Sequence, residues 1–212
     1  SQSIDLVGAY RLGDCERLIQ EYGKDCLYTA SLFEFEPGLD KYLKHALELG
    51  RSFVTPKYWG KSSLAYLWQG IGSYMENNPN IRYMIGPVSM SDRFPRDLRN
   101  KLIFYFTKFY SGDETLAKPK NVYSFDEPES MLLEEIFKDH DAESGMAYLM
   151  ETFKEAGHVF PVLFKQYASL FENGGFRILS FSVDPDFGNC IDGLILADMT
   201  KMKEDKRRRF FA

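Results

Sequence analysis

The chain has 212 residues, enough to bury a sizeable core in one domain or one domain with an insertion, and its net charge of -5 argues against a general nucleic-acid binder. Apolar residues make up 44% and aromatic residues 16%, with 18 Phe and 13 Tyr, so a thick core is expected, with or without an apolar groove beside it. Cys15, Cys26 and Cys190 lack close-paired spacing and His45, His140 and His158 lack metal-ligand spacing, which argues against a disulfide framework and a zinc site and for a reducing cytoplasm.

Residues 4–12 alternate Ile4, Leu6, Gly8 and Tyr10 against Asp5, Val7, Ala9 and Arg11, the pattern of a strand. Glycines and charges at residues 13–24 predict an irregular or hairpin connection, and residues 28–35 fit a short strand and a helix start equally well. Pro37-Gly38 breaks the chain before a strand over residues 47–54. A tight turn with Gly60 then opens a helix on which Leu64, Leu67, Trp68, Ile71 and Met75 share one face. After the turn cluster Asn77-Asn78-Pro79-Asn80 comes a strand over residues 81–89, with Pro87 near its end. A proline there implies a bulge, an edge or a splayed neighbour, or a plain strand terminus.

Pro95 suits the first turn of a helix whose inward face is Leu98, Leu102, Tyr105, Phe106 and Phe109. Residues 112–145 are rich in charge and turn formers and read as an inserted or mobile segment, with a short helix over 131–137. Helices at about 147–156 and 161–171 and a stop at Gly174-Gly175 lead to an antiparallel pair, 176–184 and 193–199, joined by an Asp-Pro-Asp-Phe-Gly-Asn turn. Residues 201–212 form a basic tail with Lys206-Arg207-Arg208-Arg209 and Phe210-Phe211, either a contact for anionic lipid or an acidic partner, or a solvated end. No run approaches the roughly 20 apolar residues that span a bilayer, and the first residues do not read as a signal peptide.

Residues 47–74 carry the most chemistry. A strand that turns through glycine into a helix presents unpaired backbone N–H groups, and the macrodipole adds positive charge, so the turn is an anion site. Glu48 on the strand before it is a candidate general base, its pKa raised by partial burial. Glu48 and Arg51 are three apart and point to opposite faces of a regular strand, so a direct contact would need a bulge.

Glu48-Leu49-Gly50-Arg51-Ser52-Phe53-Val54 resembles the strand signature of the Gcn5-related N-acyltransferases that make ornithine and glycine lipids, a group often labelled haemolysin-like. It is also similar to the Glu-x-x-Arg strand of the acyl-homoserine-lactone synthases. Three further segments match the first group in order: Val7-Gly8-Ala9-Tyr10-Arg11-Leu12, Ile85-Gly86-Pro87-Val88-Ser89, and Phe181 to Asn189 followed by Asp192-Gly193-Leu194. The resemblance implies an α/β (α+β) fold over residues 1–200, a mixed central sheet with two splayed parallel strands flanked by helices. One or two strands and helices precede residues 7–12 in that family, so a leading segment is expected to be missing here.

The implied activity is transfer of a fatty acyl group from acyl-carrier protein to the amine of an amino acid, ornithine or glycine, in the cytoplasm or at the inner face of the membrane. The implied donor is acyl-phosphopantetheine on the carrier, or acyl-coenzyme A, with no permanently bound cofactor. Glu48 is the implied base, and Arg51 either a ligand for carboxylate or carrier or a structural residue. Backbone N–H groups near Ser52, Phe53 and Val54 polarise the thioester, while Lys57, Gly60, Lys61, Ser62 and Ser63 hold phosphate. Ser89, Asp184, Asp186 and Asn189 line the amine pocket, and Tyr105 or Tyr110 returns a proton to the leaving thiolate. The single glycine of Lys57-Tyr58-Trp59-Gly60-Lys61-Ser62, where relatives have two, favours one phosphate over a pyrophosphate and hence the carrier. Ser182 stands where many relatives place Asn. Two other readings remain: a non-catalytic lipid- or partner-binding module of the same fold, and an acyl-homoserine-lactone synthase-like enzyme.

Overall fold

The computed structural model describes residues 4–59, 61–113 and 115–211. In chain order it contains β1 (Gly8–Asp14), α1 (Cys15–Tyr22), α2 (Tyr28–Leu32), β2 (Phe33–Phe35), α3 (Asp40–Leu43), β3 (Ala46–Val54), α4 (Ser63–Glu76), β4 (Tyr83–Met90) and α5 (Arg96–Tyr110). The second half adds β5 (Ala117–Pro119), α6 (Glu127–Phe137), α7 (Ala142–Glu155), α8 (Val162–Leu170), β6 (Phe176–Asp184), β7 (Cys190–Asp198) and α9 (Glu204–Phe210). The main sheet has five strands in the order β1-β3-β4-β7-β6, and β2 pairs with β5 apart from it. Only β3 and β4 run parallel; the other neighbours are antiparallel.

Each face of the sheet is covered by helices. Leu47, Met84 and Ile195 pack with Trp68 of α4, Phe106 of α5 and Phe164 of α8. On the other face Ala46, Ile85 and Leu194 meet Leu27, Leu32 and Leu43 from the α1–α3 region. This alternation along β3 and β4 follows from a pleated strand with both faces buried.

The parallel pair diverges early. β3 and β4 are paired from Ala46↔Tyr83 to Glu48↔Ile85, after which β4 continues beside β7 alone. Gly86 and Pro87 explain the place. A Cβ at Gly86 would overlap the carbonyl oxygen of Leu49, so glycine allows the close backbone approach at which the strands part, and Pro87 has no N–H to offer β3. The β1–β3 register also slips: Ala9 faces Phe53 while Arg11 faces Gly50, so Arg51 and Ser52 together oppose Tyr10. This is a bulge in β3, and Arg51 takes φ 50° to make it.

Three regions differ from the sequence expectation. Residues 13–24 are not irregular: Asp14 accepts a hydrogen bond from the Arg17 N–H and caps α1, a capping signal outweighed by the surrounding glycines. Residues 112–145, read as an inserted or mobile segment with a short helix over 131–137, hold β5, α6, which contains that helix, and the start of α7, and Leu133 and Phe137 lie in the main core. The basic run belongs to α9, whose Phe210 is buried against Trp68 with ring centroids 5.9 Å apart. Among the described residues no helix is long and apolar enough to cross a membrane.

Candidate active site

Where β3 leaves β4, the two faces of the sheet offer different surroundings. On the α4 side lies an open groove of ≈ 680 Å³. Ser52, Phe53 and Val54 line it from β3, Tyr58, Trp59 and Lys61 from the turn, Ser63, Leu64 and Leu67 from α4, and Val159, Val162 and Leu163 from the start of α8. The lining is largely apolar except at the turn, where Lys61 lies 5.1 Å from the Tyr58 ring centroid and α4 begins with no side-chain cap from Ser62. A helix start without a side-chain cap among the described residues, beside a lysine, suits an anion.

Of the residues expected to hold the donor, Ser52, Phe53, Val54, Lys61 and Ser63 are thus brought together. Ser62 sits at the helix start, and Lys57 is turned to an ion pair with Asp5 at 2.5 Å instead of lining the groove. Gly60 lies outside the described residues.

The α2 side is polar. Directly paired residues share a face, so Ser89, Asp192 and Ser182 point the same way, with Asp184 two residues along β6. Ser89 donates its hydroxyl hydrogen to Asp192 Oδ1, and Asp192 Oδ2 is buried with no hydrogen-bond partner among the described residues. Burial, with a smaller contribution from the charge of Asp184, pushes the Asp192 carboxyl up to about 6 against the opposing effect of Ser89. Asp184 Oδ2 accepts from the Tyr28 hydroxyl at 3.0 Å, while its Oδ1 accepts from the N–H groups of Asp186 and Phe187. Burial and Asp184 together raise the Tyr28 phenol to about 12, so it remains a donor at neutral pH. The Arg51 guanidinium lies 5.4 Å from the Tyr28 ring centroid.

Glu48 is on this face as well, but closed off. The sequence leads one to expect a partly buried carboxylate free to take a proton; the structure shows one with no exposure and both oxygens engaged. Oε2 pairs with Arg11 and accepts from the Tyr28 N–H at 3.2 Å, and Oε1 accepts from the Thr29 N–H at 2.9 Å and its hydroxyl at 2.7 Å. Three of its four donors come from the first turn of α2 and hold that turn against β3, and the fourth, Arg11, ties in β1. The bulge carries Arg51 back toward the face of Glu48, yet the ionic partner of Glu48 is Arg11, and Arg51 lies against Tyr28.

The other expected residues scatter. Asp186 and Asn189 are exposed on the β6–β7 turn, where Gly188 and Asn189 take the left-handed conformation at φ 63° and 54°. Tyr105 is buried and donates to the Ala142 carbonyl at 2.5 Å, and Tyr110 lines a different cavity with Phe109 and Phe176, so neither tyrosine lines the groove. Three residues of this cluster, Asp192, Tyr28 and Arg11, are not among the site residues expected from the sequence, although Arg11 and Asp192 lie in the segments that carry the resemblance. Asp192 carries a signal, a carboxylate in the middle of the largely apolar run of β7; Tyr28 carries none.

A five-stranded mixed sheet parted at one parallel pair and flanked by helices is consistent with the fold of the Gcn5-related N-acyltransferases. Residues 1–69 match the family model described as an acetyltransferase (GNAT) domain. It is 30% identical, over 97% of its length, to a protein of Phocaeicola vulgatus named glycine N(alpha)-acyltransferase, and equally to one of that name from Bacteroides thetaiotaomicron. The chain spans 65% and 63% of the lengths of these two relatives. No solved structure matches it.

Proposed function

We propose that this chain transfers a fatty acyl group from a phosphopantetheine thioester to the amine of glycine. The observation that carries the reading is an apolar groove on one face of the parted sheet and, on the other, a buried carboxylate, Asp192, with one oxygen lacking a partner among the described residues. The groove takes the acyl chain, with the donor phosphate at the turn and the start of α4. The acceptor enters from the α2 side as an ammonium held by Asp192 and Asp184, with its carboxylate toward Arg51.

Asp192 takes one proton from the ammonium. The free amine attacks the thioester carbon, the C–N bond forms and the C–S bond breaks. A second proton leaves the new amide nitrogen for the departing thiolate, so the products are the N-acyl amino acid, the thiol and one proton passed from Asp192 to water. Glu48 positions α2, and with it Tyr28, rather than exchanging protons. The names of the two relatives support glycine over ornithine.

The donor is an acyl-carrier protein: a single phosphate matches a turn with one glycine, and Lys61 lies at the mouth for an acidic partner. The test is acyl transfer by the purified chain to a panel of amino acids, from acyl-carrier and from acyl-coenzyme A donors of equal chain length. Glycine acylation with a carrier preference that shrinks as salt rises is the expected result. Turnover that survives Asp192→Asn unchanged would overturn the mechanism, and equal kcat/KM for both donors at low salt would overturn the carrier.

A further inference from the structure

The groove continues inward. Ser52, Leu64, Leu67 and Leu163 line both the open groove and a deeper void of ≈ 30 Å³ between β3, α4 and α8. Two walls of that void are aromatic and braced: Trp68 and Tyr167 meet edge to face at 5.7 Å, and Phe210 backs the indole. The third aromatic wall is Tyr10, and it is held differently. It projects from β1 opposite the bulge, is only partly buried, and rests its hydroxyl on Gly70 of α4.

A Cβ at Gly70 would overlap the Tyr10 oxygen. Glycine inside a helix costs about 1 kcal/mol relative to alanine, so its place in α4 is explained by the approach of this ring. A hydrocarbon chain entering from the turn passes Leu64 and Leu67, fills the void and meets Tyr10.

We infer that Tyr10, seated on Gly70, is the stop that sets the length of acyl chain the groove accepts. The inference rests on the proposed reading of the groove as the acyl site. Each methylene buried before the stop adds affinity, and one beyond it must displace the ring or remain in water. Tyr10→Ala opens the void toward α4 and moves the optimum to longer chains. Gly70→Ala keeps the ring but drives it off α4 into the void, and moves the optimum to shorter ones.

Calorimetric binding of straight-chain fatty acids from decanoate to stearate reads the stop without turnover, and rates with thioesters of the same lengths read it again. In Tyr10→Ala, the affinity for an acid two methylenes beyond the wild-type optimum should rise about tenfold relative to the optimum. Should Tyr10→Ala fold poorly, Tyr10→Leu shortens the same wall while keeping apolar packing, and the same shift in smaller degree is expected. Wild-type binding with an unchanged length profile in both the Tyr10 and Gly70 variants would overturn the stop and leave the groove reading standing. Failure of the wild-type protein to bind any of these acids would sink the groove reading, and the stop with it.

Discussion

Glu48 and Asp192 are buried carboxylates on the same face of the sheet, one on each side of the gap, and their surroundings are opposite. Around Glu48 every oxygen is satisfied: a guanidinium, two backbone N–H groups and a hydroxyl hold it in place. Around Asp192 there is one hydroxyl donor, one oxygen without a partner among the described residues and a second carboxylate nearby. Depth does not separate the two, since Glu48 is 0% and Asp192 1% exposed. The number of donors does. A buried acid becomes a base only where its anion is left short of hydrogen bonds.

The widest separation between the two sites is expected in turnover. Asp192→Asn should lower kcat by roughly 10²–10⁴, the range for loss of general-base catalysis, with the fold retained. A near wild-type kcat in a folded Asp192→Asn protein would break the comparison at its centre.

Stability should respond at the other site. Glu48→Gln places an amide against Arg11 and the Tyr28 N–H, where only acceptors fit, and should lower unfolding free energy by about 1–3 kcal/mol in denaturant titration. Its kcat should fall less than that of Asp192→Asn. The reverse order of the two kcat effects would return the base to Glu48.

Titration sharpens the contrast. Asp192 sits near 6 when folded against an ordinary 3.8, so the native state binds its proton more tightly than the unfolded chain. On its account stability is highest below the unfolded value, falls by about 3 kcal/mol as pH rises from about 4 to about 6, and is level above. Activity needs the deprotonated form, so kcat/KM should rise across the same interval. Asp192→Asn should flatten both curves, and a stability slope that persists in it would assign the titration to another group.

The smallest effect belongs to Ser89, whose hydroxyl holds the Asp192 anion in place. Ser89→Ala removes a contribution that lowers the Asp192 pKa, so the acid limb of the rate profile should move to higher pH. A shift in the opposite direction would mean that water replaces the hydroxyl with a better donor.

Much of the fold is legible in the order of the residues. The strand, glycine turn and amphipathic helix of residues 47–76 are plain in the spacing of Leu64, Leu67, Trp68, Ile71 and Met75, and the place where the sheet parts is marked by Gly86-Pro87. The antiparallel β6–β7 pair and its Asp-Pro turn are equally local. The regions that depart from expectation depend on contacts beyond a local window. The basic tail is a docked helix because Phe210 finds Trp68, and residues 112–145 carry regular elements because Leu133 and Phe137 reach the core.

The same division runs through the site. Sequence alone determined the elements, their order and the motifs that set a phosphate-suited turn after a glutamate-bearing strand, since periodicity and turn chemistry act over a few residues. Tertiary structure decided which carboxylate is free. Arg11 and Glu48 are 37 positions apart, Ser89 and Asp192 103, and Tyr28 and Asp184 156. Hydrogen-bond saturation and desolvation are properties of the neighbours a group meets in space, and those neighbours are chosen by how the strands and helices pack.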